Sequence, residues 1–182
     1  AATNKSVGFG SLFEDDYLLR TLGRIAHDAD VALTELVANA WDAGASFVDI
    51  TIPLTKQNAL VVVDDGHGMT AEQFKNRWMK LAYDRAKHQG PTVEFPPERK
   101  NWRRRAYGRN GVGRHGMLCF ADRYDVETWR DGQAVQLVVS TTSKETPFKI
   151  ESERTVQRSG HGTRLSVIVD RHLPDPDRIR AI

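Results

Sequence analysis

Sulfur is scarce in this chain: one cysteine, Cys119, and three methionines occur among 182 residues. A single cysteine excludes an internal disulfide and fits a reducing compartment. No apolar run approaches the roughly 18 residues a membrane-spanning helix needs, and Ala1–Gly10 lacks the apolar core of a signal peptide. The expectation is a cytoplasmic protein without membrane contact. Charge of one sign is also lacking. With 26 Lys and Arg against 24 Asp and Glu, the net charge of +2 is too small to argue for nucleic acid. There is no repeat and no low-complexity tract. What remains is ordinary globular material, 40% hydrophobic and 27% charged, long enough to bury one core. Residues 1–182 therefore read as a single domain. The missing initiator Met and the abrupt end after Leu173-Pro174-Asp175-Pro176 mark it as an expected piece of a longer protein.

Apolar spacing at Leu18, Leu19, Leu22, Ile25 and Ala26 predicts a helix within Glu14–Ala29. A second helix starts at an Asp28 or Asp30 cap and runs to about Ala43, stopped by Gly44. Its predicted core face is Leu33, Leu36, Val37 and Ala40. Alternation over Val48–Leu54 and the run Leu60–Val63 predict two strands. Thr70-Ala-Glu-Gln73 signals a capped helix through about Leu81. Tyr83–Tyr107 lacks periodicity and reads as a long mobile loop. A short helix follows near Gly116–Ala121. Strands are then predicted at Arg123–Arg130, Gln133–Thr141, Phe148–Arg154 and Thr163–Val169, with Asp131-Gly132 as a hairpin turn. Early helices and late antiparallel strands make an α+β pattern.

Three short motifs carry chemistry. On the second helix, Glu35, Asn39 and Asp42 stand at i, i+4 and i+7, one narrow polar stripe among apolar neighbours. Such a stripe is either solvated or partnered. Mg²⁺ takes oxygen ligands and keeps several waters, so an Asn39 carbonyl plus phosphate oxygens suffices to hold it. Glu35, one turn away, is placed to deprotonate water aimed at a terminal phosphate. Second, Val61-Val62-Val63 delivers Asp64 at a strand end, where Gly66 and Gly68 turn the chain. An ionised carboxylate only accepts hydrogen bonds and suits an exocyclic amine such as adenine's, with Met69 as a flat wall. Standing alone, this pattern is more readily a surface turn. Asp65 and His67 are expected to face away from a base. Third, Gly108, Gly111 and Gly113 free the backbone to present N–H groups to phosphates. No Gly-Lys-Ser/Thr closes the loop, so it is not a Walker A sequence. Arg109, Arg114 and His115 lie within reach of phosphate or of solvent. Just upstream, Arg99–Arg105 packs five cations into seven positions around Trp102, a solvated face or a DNA contact.

In this order the motifs resemble the GHKL superfamily: gyrase B subunits, ninety-kilodalton heat-shock chaperones, sensor histidine kinases and mismatch-repair ATPases. The likeness runs from about Leu18 to Val169, with motif style nearest the chaperone and microrchidia-like branches. It implies a Bergerat-fold α/β sandwich, a mixed, mostly antiparallel sheet with helices on one face. Glu35–Ala43 resembles the N box, which implies Glu35 as general base, Asn39 as the Mg²⁺ ligand, and Asp42 and Ala43 beside the nucleotide. Asp64-x-Gly66-x-Gly68-Met69 resembles the next box, implying that Asp64 binds the adenine amine with Gly68 and Met69 against the base. The loop with Asn110, Gly111, Val112 and Gly113 resembles the segment closing over the triphosphate, within a lid of about 83–115. Gly160-His-Gly162-Thr163 resembles the last box, where Thr163 helps hold the adenine-binding Asp.

The resemblance implies binding of Mg·ATP, hydrolysis to ADP and phosphate, lid closure and an ATP-dependent homodimer. The alternative is a nucleotide-dependent module, read by a partner or by DNA, with little turnover. Family ATPases append a transducer domain whose Lys reaches the γ-phosphate; no Lys here is assigned that role. A histidine kinase is not expected, because no dimerising helix pair with a phosphoacceptor His is found.

Overall fold

A computed structural model of the chain describes residues 14, 17–108, 111–141 and 146–179. The first helix, α1 (Tyr17–Leu22), continues as a 3-10 turn over Gly23–Ala26. Helix α2 (Ala29–Asp42) begins at Asp28, whose carboxylate accepts the N–H groups of Asp30 and Val31 at 3.1 and 3.3 Å. This satisfies two of the donors that every helix start leaves open. The helix stops at Gly44, whose φ of +72° suits a residue without Cβ. Ala32, Leu33, Leu36 and Ala40 are buried, whereas Val37 and Trp41 are exposed. Val37 therefore does not belong to the core face predicted for it. Periodicity identified the helix but not the width of the face its neighbours cover.

Strands β1 (Val48–Thr51), β2 (Ala59–Asp64), β3 (Arg123–Arg130), β4 (Gln133–Ser140), β5 (Lys149–Gln157) and β6 (Gly162–Ile168) form one sheet, in the order β1-β2-β6-β3-β4-β5. All five pairings among these described strands are antiparallel. Asp131 and Gly132 both have positive φ and close the β3–β4 hairpin as the sequence predicts. One sheet face presents Leu60, Val62, Val126, Leu137, Leu165 and Val167 to Leu18, Leu22, Leu33 and Leu36 of the helices. Each such buried side chain contributes about 1.5–3 kcal/mol relative to exposure. The result is the expected α+β sandwich.

Two segments depart from expectation. The Thr70 capping box is present, but α3 (Ala71–Gln73) makes one turn before widening into a π-type turn over Phe74–Trp78. The Phe74 and Trp78 rings stack at 5.6 Å and both are buried, so core packing replaces the regular helix. The stretch Tyr83–Tyr107, predicted as a long loop without periodicity, holds α4 (Arg85–Gln89), a 3-10 turn at Pro97–Arg99 and a Thr92–Arg105 bridge. Asp84 caps α4, and the Arg85 guanidinium donates to the Gly90 and Thr92 carbonyls. Polar contacts of this kind follow no apolar periodicity that would announce them. The last described element is α5 (Pro176–Ile179).

Candidate functional site

A cavity of about 810 Å³ lies between α2 and the sheet, a size suited to a small ligand. Glu35, Asn39, Asp42 and Ala43 line it from α2, and Asp64, Gly68 and Met69 from the end of β2. Gly111, Val112 and Gly113 line it from the glycine loop, and Thr163 from β6. Residues from four separate motifs thus meet in one place. Asn110 and Arg109 lie outside the described residues.

At one end, sheet register sets a polar row. Asp64 pairs with Thr163, and Thr163 with Thr128 of β3, so three inward side chains stand side by side. Asp64 is buried, and the Gly66 N–H donates to its Oδ1 at 2.8 Å. Burial pushes its carboxyl up to about 7, against the smaller downward pull of that N–H. Such a carboxylate is an acceptor waiting for a donor. The Thr163 hydroxyl lies 3.3 Å from that of Thr128, rather than on the Asp64 carboxylate. Thr128 is the residue that sequence reading missed. Fully buried, it accepts the Met69 N–H at 2.9 Å, and so fixes the wall that Met69 offers to the cavity. Its only signal was an inward register position in a predicted strand, where Thr is unremarkable as a β-former.

Gly68 is held tightly as well. Its φ is +62°, and an added Cβ would lie 2.1 Å from the Trp129 carbonyl oxygen. Asp65 turns away from the cavity, as expected. Burial pushes its carboxyl up, but the Ser46 hydroxyl at 2.5 Å, the Arg99 guanidinium, and the Phe47 and Ser46 N–H groups at 3.1 and 2.7 Å outweigh it and hold it down to about 2. His67 bonds the neighbouring Gly68 carbonyl through Nδ1, and its backbone N–H donates to the Ala43 carbonyl at 2.8 Å, tying the turn to the end of α2.

At the other end, Glu35 packs against the glycine loop. A Cβ on Gly113 would fall 2.1 Å from Glu35 Oε2, so the loop backbone and the carboxylate occupy one site only because position 113 has no side chain. Gly113→Ala is expected to displace the Glu35 carboxylate, the movable end of a side chain, with little change in melting temperature. Thermal melting beside a crystal structure of the variant checks this. The Asn39 side-chain nitrogen is buried without a hydrogen-bond partner. A donor left open beside a cavity suits an acceptor on a ligand. Asp42 acts on the loop instead. Its carboxylate accepts the Tyr107 and Gly108 N–H groups at 2.7 and 2.8 Å, anchoring the start of the glycine loop.

Four arginines, 77, 85, 105 and 114, also line the cavity. Arg85 and Arg114 donate to backbone carbonyls. His115, a suggested phosphate contact, is instead in the core: its Nδ1 lies 3.2 Å from the Tyr124 hydroxyl, which also accepts from Trp78 Nε1 at 2.9 Å. Burial lowers its imidazole to about 3, so it stays neutral. The basic run is divided too. Arg99 is buried on Asp65, and Arg104 lies 3.9 Å over the Trp41 ring.

An antiparallel sheet covered by helices, with a buried acid at one end of a cavity and a Glu–Asn stripe beside a glycine loop at the other, defines a nucleotide-site architecture. The chain belongs to the histidine kinase-, DNA gyrase B- and HSP90-like ATPase family, whose model matches residues 27–166. Membership supports adenine-nucleotide binding as its general property. The chain is similar to a putative type II restriction enzyme, HgiDII of Herpetosiphon aurantiacus, at 30% identity over 98 residues, 54% of this chain and 14% of that protein. It also shares its fold with the solved N-terminal domain of a DNA repair protein. That match has a TM-score of 0.55 and 20% identity, covering 91% of this chain and 42% of the other. The chain thus spans less than half of either relative.

Proposed function

We propose that this domain binds Mg·ATP in the cavity and hydrolyses it to ADP and phosphate. The reading rests on one observation above all: Asp64, buried and short of donors, shares a cavity with Glu35 and the open Asn39 amide. The base amine donates to Asp64, the base lies against Met69 and Gly68, and the phosphates run toward the glycine loop. Bound Mg²⁺ supplies charge neutralisation, with the Asn39 carbonyl as its protein ligand. Glu35 takes a proton from a water whose oxygen bonds the γ-phosphorus. The bond from that phosphorus to the β–γ bridging oxygen breaks, and the electron pair leaves with ADP. Segment Tyr83–Tyr107 closes over the nucleotide as a lid, and the ordered surface pairs with a second copy. In limited proteolysis, cleavage within that segment is expected to fall several-fold with a non-hydrolysable Mg·ATP analogue. Equal cutting with and without it contradicts closure.

A second reading, nucleotide-gated DNA contact with little turnover, is favoured by one surface. Trp41, Arg104, Phe95 and Trp102 form a continuous row, with Arg104 3.9 and 5.3 Å from the Trp41 and Phe95 rings and Phe95 5.9 Å from Trp102. Trp41 and Trp102 are exposed, as are Lys100 and Arg103, so aromatic faces and cations lie together. One relative is named a DNA repair protein and another a restriction enzyme. Under this reading the domain binds DNA more weakly as salt rises, and replacing Lys100, Trp102 and Arg103 together by Ala abolishes binding. No binding at low salt contradicts it.

A further inference from the structure

Three segments meet behind the base end of the cavity: the turn Asp64–Gly66, the stretch Glu94–Arg99, and the lead into β6 at Gly160–Gly162. Arg99 is 8% exposed, yet it comes from a stretch of the chain rich in solvated charge. A buried guanidinium is costly unless it is paired and hydrogen-bonded. Arg99 meets that demand at its two terminal nitrogens, donating through one to the Asp65 carboxylate and through the other to the Asp65 backbone carbonyl, while its Nε is buried without a partner. Beside it, His161 Nδ1 lies 2.7 Å from the Gly66 carbonyl and its Nε2 lies 2.8 Å from Glu98, which is itself 3.3 Å from Arg99.

The consequence lies in one peptide unit. The carbonyl of Asp65 and the N–H of Gly66 belong to the same planar group. Arg99 holds its oxygen, and its N–H is the donor that meets Asp64 Oδ1 at 2.8 Å. A cation on the carbonyl fixes the plane's orientation and polarises the N–H at its other side. The neighbouring carbonyl, of Gly66, is held by His161. Arg99 thus reaches the Asp64 carboxylate through a single rigid amide, without touching the cavity itself.

We propose that Arg99 is a positioning residue for purine recognition: it orients the Asp64 carboxylate through the Asp65–Gly66 peptide, making the 94–99 segment part of the base site. The inference rests on the reading of Asp64 as the acceptor for the base amine. The charged groups facing Asp64 are Asp65 on its own turn, His161 from the lead into β6, and Arg99 from the 94–99 segment. Asp65 disfavours ionisation of Asp64, while His161 and Arg99 favour it. Removing Arg99 therefore raises the pH at which Asp64 becomes an acceptor, in addition to loosening its orientation.

The test is calorimetric titration of Mg·ADP into wild type, Arg99→Ala and Arg99→Lys between pH 6 and 8.5, with inorganic tripolyphosphate as a baseless ligand. Arg99→Ala is expected to weaken Mg·ADP about tenfold at pH 7, to shift the pH midpoint of affinity alkaline, and to leave tripolyphosphate affinity unchanged. Arg99→Lys keeps the charge but loses the fork, and recovers the midpoint more than the affinity. Should the Ala variant not fold, the Lys variant decides by the same readings. A wild type with no pH-dependent Mg·ADP binding overturns the Asp64 reading itself. Wild-type binding with unchanged affinity and midpoint in a folded Arg99 variant overturns the positioning role, as does equal loss of both ligands.

Discussion

Replacing Glu35 by alanine is expected to lower ATP turnover by about 10²- to 10⁴-fold, the range associated with losing a general base, while Mg·ATP-analogue affinity stays within about threefold of wild type. The separation follows from position. Glu35 sits beside Gly113 at the glycine-loop end of the cavity, one helical turn from Asn39 and remote in sequence from the Asp64 turn proposed to receive the base. Removing its carboxylate deletes the proton acceptor and also one negative charge near the phosphates, so ground-state binding does not suffer. Single-turnover assay and calorimetry on the same preparation check both halves. Equal turnover in wild type and variant would remove Glu35 from the chemistry, and equally low turnover would favour the second reading, a nucleotide-gated DNA contact.

Asp64→Asn is expected to weaken Mg·ADP by about 100-fold and, at the same time, to stabilise the ligand-free domain at pH 8 by about 1–3 kcal/mol. The opposite signs come from one cause. Burial pushes Asp64 up to about 7 from an ordinary 3.8. Between about pH 4 and 7 the folded chain keeps a proton that the unfolded chain has already lost. Stability therefore falls as pH rises through that window and levels off above 7. At about 1.4 kcal/mol per pH unit, the ionised carboxylate costs the empty fold up to roughly 4 kcal/mol. Asparagine carries no such charge, but it offers an N–H₂ group and a weaker acceptor where the amine needs an anion. Affinity for the base in wild type runs the other way with pH, because the ionised form receives the amine: it is lost as pH falls below about 7. Denaturant titrations at pH 5 and 8 with calorimetry separate the two effects. Wild-type stability that does not fall from pH 5 to 8 relative to Asp64→Asn contradicts the account.

Local rules made much of this molecule legible. Asp28 and the 3.6-residue spacing located α2, and the same spacing put Glu35, Asn39 and Asp42 on the stripe that lines the cavity. Asp131-Gly132 announced the β3–β4 hairpin, because both residues accept positive φ. What escaped was determined at long range. Val37 lies on an apolar stretch, but it stays exposed among the described residues. The order in 83–108 comes from partners distant in sequence, with Asp42 on Tyr107 and Gly108, Trp41 on the Arg105 carbonyl, and Asp65 on Arg99. Five cations in seven positions read as one basic face, yet two of them serve internal contacts. Thr128 joined the site only through the register of three strands. Asp42 sat on the stripe as expected, but its hydrogen bonds anchor the loop.

The central claim is a base-selective nucleotide site built around Asp64. The most direct measurement is calorimetric titration of Mg·ADP, with Mg·GDP in parallel, into the wild-type domain at pH 7.5. The account predicts saturable, one-to-one binding of Mg·ADP at least about tenfold tighter than Mg·GDP, because a guanine carbonyl facing the Asp64 carboxylate leaves an acceptor against an acceptor. Equal affinity for the two, or no binding by the folded domain, would contradict it.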